Sequence, residues 1–172
     1  MAEGLLRQRA EQDGIDLSVS SAGITFNGRA ATDEAIETVG RLGVDLAAHR
    51  SRILDADMVR AADLVLAMER LHVREAVVLA PDVFGRTFTL KDFVRRGESI
   101  GLRRDEPFEE WLANVSLGRR TLDYLGESDE DDVADPFRRS AKVYAATATE
   151  LVDLVSRLVD LVWGPIAIER PA

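Results

Sequence analysis

The segment Ala62-Asp63-Leu64-Val65-Leu66-Ala67-Met68 decides the fold. Its centre, Leu64 to Ala67, is an unbroken apolar run, the pattern of a strand buried on both faces of a parallel sheet. A short helical stretch around Asp55 to Ala61 precedes it. A helix from about Glu69 to Leu79 follows and must stop before Pro81. Further out, Arg86 to Leu90 reads as another strand. Leu17 to Ser21 alternates apolar and polar residues, as a half-buried strand does. Thr32 is placed to cap a helix, with Asp33 and Glu34 in the first turn, where the dipole favours them. The stripe of that helix is Ala35, Ile36, Val39 and Leu42, and Gly43 ends it. Glu106-Pro107 opens a helix with Phe108, Trp111, Leu112 and Val115 on its inner face. Tyr144, Ala148, Leu151, Val155, Leu158 and Val162 mark one face of a long final helix. Strands alternating with helices predict an α/β three-layer sandwich around a small parallel sheet, with residues 1–172 as one domain.

The chain's opening departs from that pattern. An open α/β fold ordinarily starts with a strand whose loop feeds the first helix. Here Met1 to Gln12 reads directly as an uncapped helix, with Ala2, Leu5, Leu6 and Ala10 on one face and Gly14 as its stop.

The 172 residues carry 22 Lys and Arg against 31 Asp and Glu, a net charge of −9 that argues against nucleic-acid and anionic-membrane partners. Any phosphate site must therefore be built locally. The absence of cysteine excludes disulfides, thiolate metal sites and cysteine chemistry within these residues. Two histidines, His49 and His72, are too few for a histidine-rich metal cluster, so neither metal nor cofactor is expected. The N-terminus is too polar for a signal peptide. The stretch Leu151 to Ile168 is interrupted by Asp153, Arg157 and Asp160, which no membrane span of this length tolerates well. The chain reads as cytoplasmic. Glu127 to Asp132 reads as a solvated acidic loop, and His72 as exposed on its helix.

Several segments, in order, resemble the low-molecular-weight protein-tyrosine phosphatases. Met1-Ala2-Glu3 with Leu5-Leu6 is similar to the helix after that family's phosphate loop, C-x-x-x-x-x-R-S-P-M-A-E. Ser20-Ser21-Ala22-Gly23 resembles the end of its second strand, usually D-S-A-G-T, with Ser20 and Ile24 as departures. Gly43-Val44-Asp45-Leu46 with His49-Arg50-Ser51-Arg52 resembles its G-[IV]-D…H-x-[SA]-[RK] segment. Ala62 to Met68 resembles its third strand, and Asp135-Pro136-Phe137 its D-P-[YF] loop. Arg86-Thr87-Phe88-Thr89-Leu90 is similar to a bacterial, actinobacterial-like branch.

The resemblance implies phosphomonoester hydrolysis through a phosphocysteine, with phosphate held by backbone N–H groups and an arginine at a helix N-terminus. It implies Asp135 as the acid that protonates the leaving phenolate, whose pKa is near ~10. It implies Phe137, and Phe26 opposite, as walls of the substrate cleft, and Ser21 as a support of the phosphate loop. Read from the residues alone, Asp135 also suits a turn before proline, Phe137 a core position, and Ser21 a strand end satisfying its own backbone. His49 and its neighbouring arginines read as fold rather than site.

The same alignment expects the first strand, the nucleophilic cysteine and the phosphate-binding arginine upstream of Met1, making this an N-terminally truncated chain, inactive as written. The expected strand lies between Leu17–Ser21 and Leu64–Ala67, and its lack leaves unpaired edges open to self-association. With the loop supplied, the partner is a phosphotyrosine protein. Alternatives are a non-catalytic remnant or interaction module and, less favoured without further cysteines, an arsenate reductase-like protein.

Overall fold

The computed structural model describes residues 1–126 and 128–164, so Glu127 and the end of the Leu151–Ile168 stretch lie outside the described residues. The decisive apolar run forms β1, Val65–Ala67. It pairs in parallel with β2, Thr87–Thr89, in the register Val65–Thr87, Leu66–Phe88 and Ala67–Thr89. A parallel pair needs a crossover, supplied by a helix, Arg70–Leu79, and a 3-10 turn, Pro81–Arg86. In chain order the helices are α1, Ala2–Gln12; α2, Asp33–Gly40; α3, Ala56–Ala61; α4, Arg70–Leu79; α5, Leu90–Ile100; α6, Phe108–Ser116; and α7, Ala141–Trp163.

The two faces of the sheet carry different helices. On one, α1, α2, α5, α6 and α7 share a core that includes Leu5, Val39, Phe88, Phe93, Trp111, Leu154 and Leu158. Phe88, Phe93 and Trp111 pack edge to face at centroid distances of 5.3 and 5.8 Å. On the other, α3 and α4 close over Val59, Ala76, Ala80 and Val83. The expected three layers are present.

Local signals explain most boundaries. Thr32 caps α2, its hydroxyl accepting from the Ala35 N–H at 3.2 Å. Asp55 caps α3 in the same way, accepting from Met58 N–H at 2.8 Å. β2 is buried although two of its three residues are threonines. Thr87 Oγ1 donates to the Val83 carbonyl at 2.9 Å, and Thr89 Oγ1 accepts from Asp92 N–H at 3.2 Å, capping α5. Helix α5 went unread in the sequence, which had only a strand ending at Leu90. Leu90, Phe93, Val94 and Gly97 follow the i, i+3, i+4, i+7 pattern and are all buried. Lys91, Arg95, Arg96 and a mid-helix glycine mask it. Gly97 is needed there: a Cβ would lie 3.0 Å from Leu161 Cδ1 and 3.3 Å from Trp111 Cη2.

Leu17–Ser21 is a correction. Its residues alternate between half-buried and exposed, as expected, yet they join no ladder among the described residues. Alternation sets which side chains face the core, whereas a strand also needs a neighbouring backbone with free N–H and C=O groups. Two of its carbonyls accept from arginine side chains instead, Val19 from Arg7 and Ser21 from Arg52, each at 3.0 Å. Lone bridges join Gly23 to Ile53 and Ala30 to Arg50.

Beyond β2 the guanidinium of Arg119 is fully buried. It donates to the carbonyls of Phe84 and Thr87 and to Tyr124 Oη, and lies 3.6 Å from the centre of the Phe88 ring. Tyr124 Oη in turn donates to Asp92 Oδ2 at 2.5 Å. Burial pushes the Arg119 pKa down and that of Tyr124 up, the hydrogen bond to Asp92 adding to the latter.

Helix α1 tests how tightly this side of the core is packed. A Cβ on Gly4 would sit 2.5 Å from Cγ1 of buried Val44, a stiff β-branched neighbour. Gly4→Ala is expected to lower stability by about 1–3 kcal/mol. Gly40→Ala, with no atom within 4 Å of its Cβ, should be neutral or stabilising by up to about 1 kcal/mol. Urea unfolding of both variants checks this; equal midpoints would show that Val44 yields freely.

Candidate active site

In open α/β sheets ligands gather at the carboxyl ends of the strands. Here the Met68 carbonyl, just past β1, accepts from Val133 N–H at 2.8 Å, so the segment leading to Asp135 hangs from that end of the sheet. Asp135, Pro136 and Phe137 line a cleft of about 430 Å³, whose other walls include Phe26, Arg29, His49, Ser51, His72 and Tyr144. A second groove of about 230 Å³ runs between Val73, Val77, Phe84, Leu122 and Leu125. Its one charged group, Arg74, is occupied by the carbonyls of Tyr124 and Gly126. The first cleft, with its ionisable and aromatic lining, is the candidate site.

Asp135 is exposed, and its Oδ1 accepts from Phe137 N–H at 3.0 Å, a local turn that aims the loop. Arg138 follows at φ 60°, a left-handed conformation that a residue with a Cβ adopts only when the surrounding loop imposes it. Phe26 and Phe137 do not face one another across open space. Their rings touch, 6.0 Å between centroids at 57°. A third ring between them needs about 7 Å, two contacts of about 3.5 Å each. The pair therefore closes one end of the cleft. Arg29 lies 4.0 Å from the Phe26 centroid and Arg138 5.2 Å from that of Phe137.

The acidic stretch before this loop is solvated at Asp129 and Glu130 but not at its end. Asp131 is 4% exposed. Its Oδ2 accepts from Arg70 Nε at 2.8 Å and Nη2 at 2.5 Å, and its Oδ1 from Arg95 Nη1 at 2.8 Å. Asp132 Oδ1 accepts from Arg70 N–H at 2.7 Å and Oδ2 from Ser128 N–H at 3.0 Å. Burial alone would raise the Asp131 pKa, but the hydrogen bonds and charges of Arg70 and Arg95 hold it below the usual carboxylate range. A run of like charges reads as solvated only when its partners, more than 30 residues away, are invisible.

Ser21 does not stand alone: its hydroxyl donates to the Glu3 carboxylate, and His49 Nδ1 lies 3.7 Å from the same group. His49, read as fold, thus also lines the cleft. His72 is a second correction. It sits in the first turn of α4, half-buried, with Nδ1 screened from solvent and unpartnered among the described residues, its side chain on the cleft wall. Its position at the start of a helix following a strand was the available signal. Tyr144, read only as part of the α7 stripe, reaches the cleft and shares a 3.0 Å hydrogen bond with Thr32 Oγ1. Among the described residues, no group of three or more His, Asp or Glu side chains is disposed to hold a metal, and no helix is long and apolar enough to cross a membrane.

The family model described as low molecular weight phosphotyrosine protein phosphatase matches residues 1–115. The chain belongs to this family. Among relatives of this phosphatase-family chain, the protein-arginine-phosphatase of Bacillus subtilis is 30% identical over 164 residues, covering 92% of this chain and 84% of that protein. A probable low molecular weight protein-tyrosine-phosphatase of Ralstonia solanacearum is 33% identical over 126 residues, covering 69% and 80%. The crystal structure of the low molecular weight protein tyrosine phosphatase from T. tengcongensis superposes with a TM-score of 0.68 at 29% identity, covering 92% of this chain and 87% of that one. The arginine phosphatase of Geobacillus stearothermophilus gives 0.66 at 29%, covering 92% and 80%.

In this phosphatase-family chain the Glu3 cluster gives a pH test. Burial pushes the Glu3 pKa up, but hydrogen bonds from Ser21 and Arg7 and the charges of Arg7 and His49 outweigh it, leaving it below the ordinary 4.5. A depressed carboxylate pKa stabilises the fold above its unfolded value, and that stabilisation is lost as pH falls through the folded value. Ser21→Ala is therefore expected to destabilise more at pH 7 than at about pH 3. Thermal unfolding across that range measures it, and a deficit independent of pH would place the role of Ser21 elsewhere.

Proposed function

We propose that this chain carries the leaving-group side of a phosphomonoester-hydrolase site that acts on phosphoproteins, with Asp135 as the general acid. The convergence of Asp135, Phe137, Phe26 and His72 on one cleft at the carboxyl end of the sheet supports this reading. Asp135 sits on a loop rather than in the sheet, where it can reach over a bound phosphoryl group and protonate the departing oxygen. The same carboxylate then takes a proton from the water that hydrolyses the intermediate. Phe26 and Phe137 form the aromatic wall beside the leaving group.

The nucleophile is not among these residues, which include no cysteine. In this reading a strand and loop carrying the thiolate and the phosphate-binding arginine come from outside them and seat beside β1, on the edge away from β2. A bare edge there favours self-association between copies. A remnant that binds without turnover is the competing reading.

The preferred substrate is a tyrosine phosphate, supported by the aromatic pair at the cleft. Phosphoarginine is the second reading, supported by the Bacillus subtilis relative. Both leaving groups need a proton, so Asp135 serves either.

The chain as given is expected to show no turnover of p-nitrophenyl phosphate above buffer. A form extended by the in-frame upstream codons, where these supply a cysteine loop, is expected to turn over. In that form Asp135→Asn should cost about 10²–10⁴-fold on a phosphotyrosine peptide. It should cost less on p-nitrophenyl phosphate, whose phenolate leaves without much help. Parallel assays on phosphotyrosine and phosphoarginine peptides separate the two substrates. Turnover by the 172-residue chain that Asp135→Ala abolishes, or an extended enzyme indifferent to Asp135→Asn, would overturn the proposal.

A further inference from the structure

We propose that Asp131 is the positioning residue of the acid loop: a buried carboxylate, clamped between Arg70 of α4 and Arg95 of α5, that fixes where Asp135 stands. This rests on the reading of Asp135 as the acid.

The anchorage changes abruptly along the loop. Asp131 is held by three hydrogen bonds from two arginines on different helices. The Asp132 carbonyl accepts from Lys91 Nζ at 2.7 Å, and its carboxylate from the Arg70 backbone. Val133 N–H donates to Met68 beyond β1, and the Ala134 carbonyl accepts from Thr147 Oγ1 of α7 at 3.2 Å. Every residue from 131 to 134 is thus tied to the scaffold, Asp131 and Asp132 to α4 and α5, Val133 to the end of β1 and Ala134 to α7. From Asp135 onward the polar contacts are local, Asp135 with Phe137 N–H and Pro136 with Arg139 N–H at 2.9 Å. The loop is a short free tip on a fixed base, and the ionic part of that base is Asp131.

Charge shows why the anchor is an acid. Arg70, Arg95, Lys91 and Arg96 meet in this corner, facing Asp92, Glu130, Asp131 and Asp132. Asp92 answers Arg95 and Arg96 from within α5, at 2.7 and 2.9 Å. Arg70 has Asp131 as its one ion-pair partner among the described residues. Removing that carboxylate leaves a mostly buried guanidinium unpaired and frees the chain four residues before the acid. Charge-assisted bonds of this kind are the strong ones, and with Arg70 on Oδ2 and Arg95 on Oδ1 both carboxylate oxygens are fixed. An acid that must meet a leaving oxygen needs its supporting groups held in this way.

The test uses the full chain and needs no catalysis. 4-Fluorophenylalanine placed at position 137 reports, by its 19F shift, the contact with the Phe26 ring; amide hydrogen exchange reports the Val133–Met68 bond. Asp131→Asn is expected to move the 19F resonance toward its unfolded position. It should speed Val133 exchange about tenfold or more while leaving amides of α7 such as Leu154 and Leu158 unchanged. Should that variant fold poorly, Arg95→Gln, which removes one of the two clamps, should give the same local change at smaller amplitude. An unchanged 19F shift and unchanged Val133 exchange in the folded variants would overturn the proposal. So would a loss of protection spread evenly over α7, the mark of a general structural role. A failure of Asp135 as acid appears separately, as indifference of the extended enzyme to Asp135→Asn.

Discussion

Much of this structure depends on one buried cation. Arg119 has no exposed side-chain surface, and a guanidinium in that position is tolerable only when its donors are answered. They are answered by the carbonyls of Phe84 and Thr87, by Tyr124 Oη and, at 3.7 Å, by Asp92. Those partners belong to the 3-10 turn before β2, to β2 itself, to the 3-10 turn Thr121–Tyr124 and to α5. None of them can move far without uncovering the charge. The flat cation on Phe88 also lets an ionic group share the space of an aromatic core rather than interrupt it.

From there a chain of contacts leads to the cleft. Asp92 takes Tyr124 on one oxygen and Arg95 and Arg96 on the other; Arg95 passes on to Asp131; Asp131 holds Arg70 at the start of α4, two residues before His72. The polar groups beneath the acid loop and those around Arg119 are thus one network. Its members come from segments far apart in sequence, so it forms only after the chain has closed on itself.

That explains what was legible and what was not. Elements set by local rules were read correctly: the apolar run of β1, the Thr32 cap, the short helix near Asp55 to Ala61, the stripe of α7. Asp135, Phe137 and Ser21 were singled out from ordered motifs and Phe26 from the loop after the expected second strand; the structure puts Asp135, Phe137 and Phe26 on one cleft, with Ser21 bonded to Glu3. What failed was everything that depends on a distant partner. Leu17–Ser21 has the alternation of a strand without a neighbour to pair with. The end of the acid run, Asp131 and Asp132, looked solvated like Asp129 and Glu130 before it because Arg70 and Arg95 lie far upstream. His72 looked exposed because the cleft it lines is assembled from segments far from it in sequence, among them the Asp135 loop. The miss of α5 is different, since Leu90, Phe93, Val94 and Gly97 carried the periodicity in plain view among arginines.

The touching rings of Phe26 and Phe137 bear on what the cleft admits. An edge-tilted aromatic contact is worth about 0.5–1.5 kcal/mol beyond the area it buries. A guest that inserts a flat ring of its own trades that contact for an equivalent one and enters at little net expense. A guest that parts the rings with a flexible aliphatic stem breaks it without replacement, and is disfavoured by roughly two- to tenfold relative to a guest that leaves the wall closed. The closed pair is in effect a weak filter for planarity, set by two side chains.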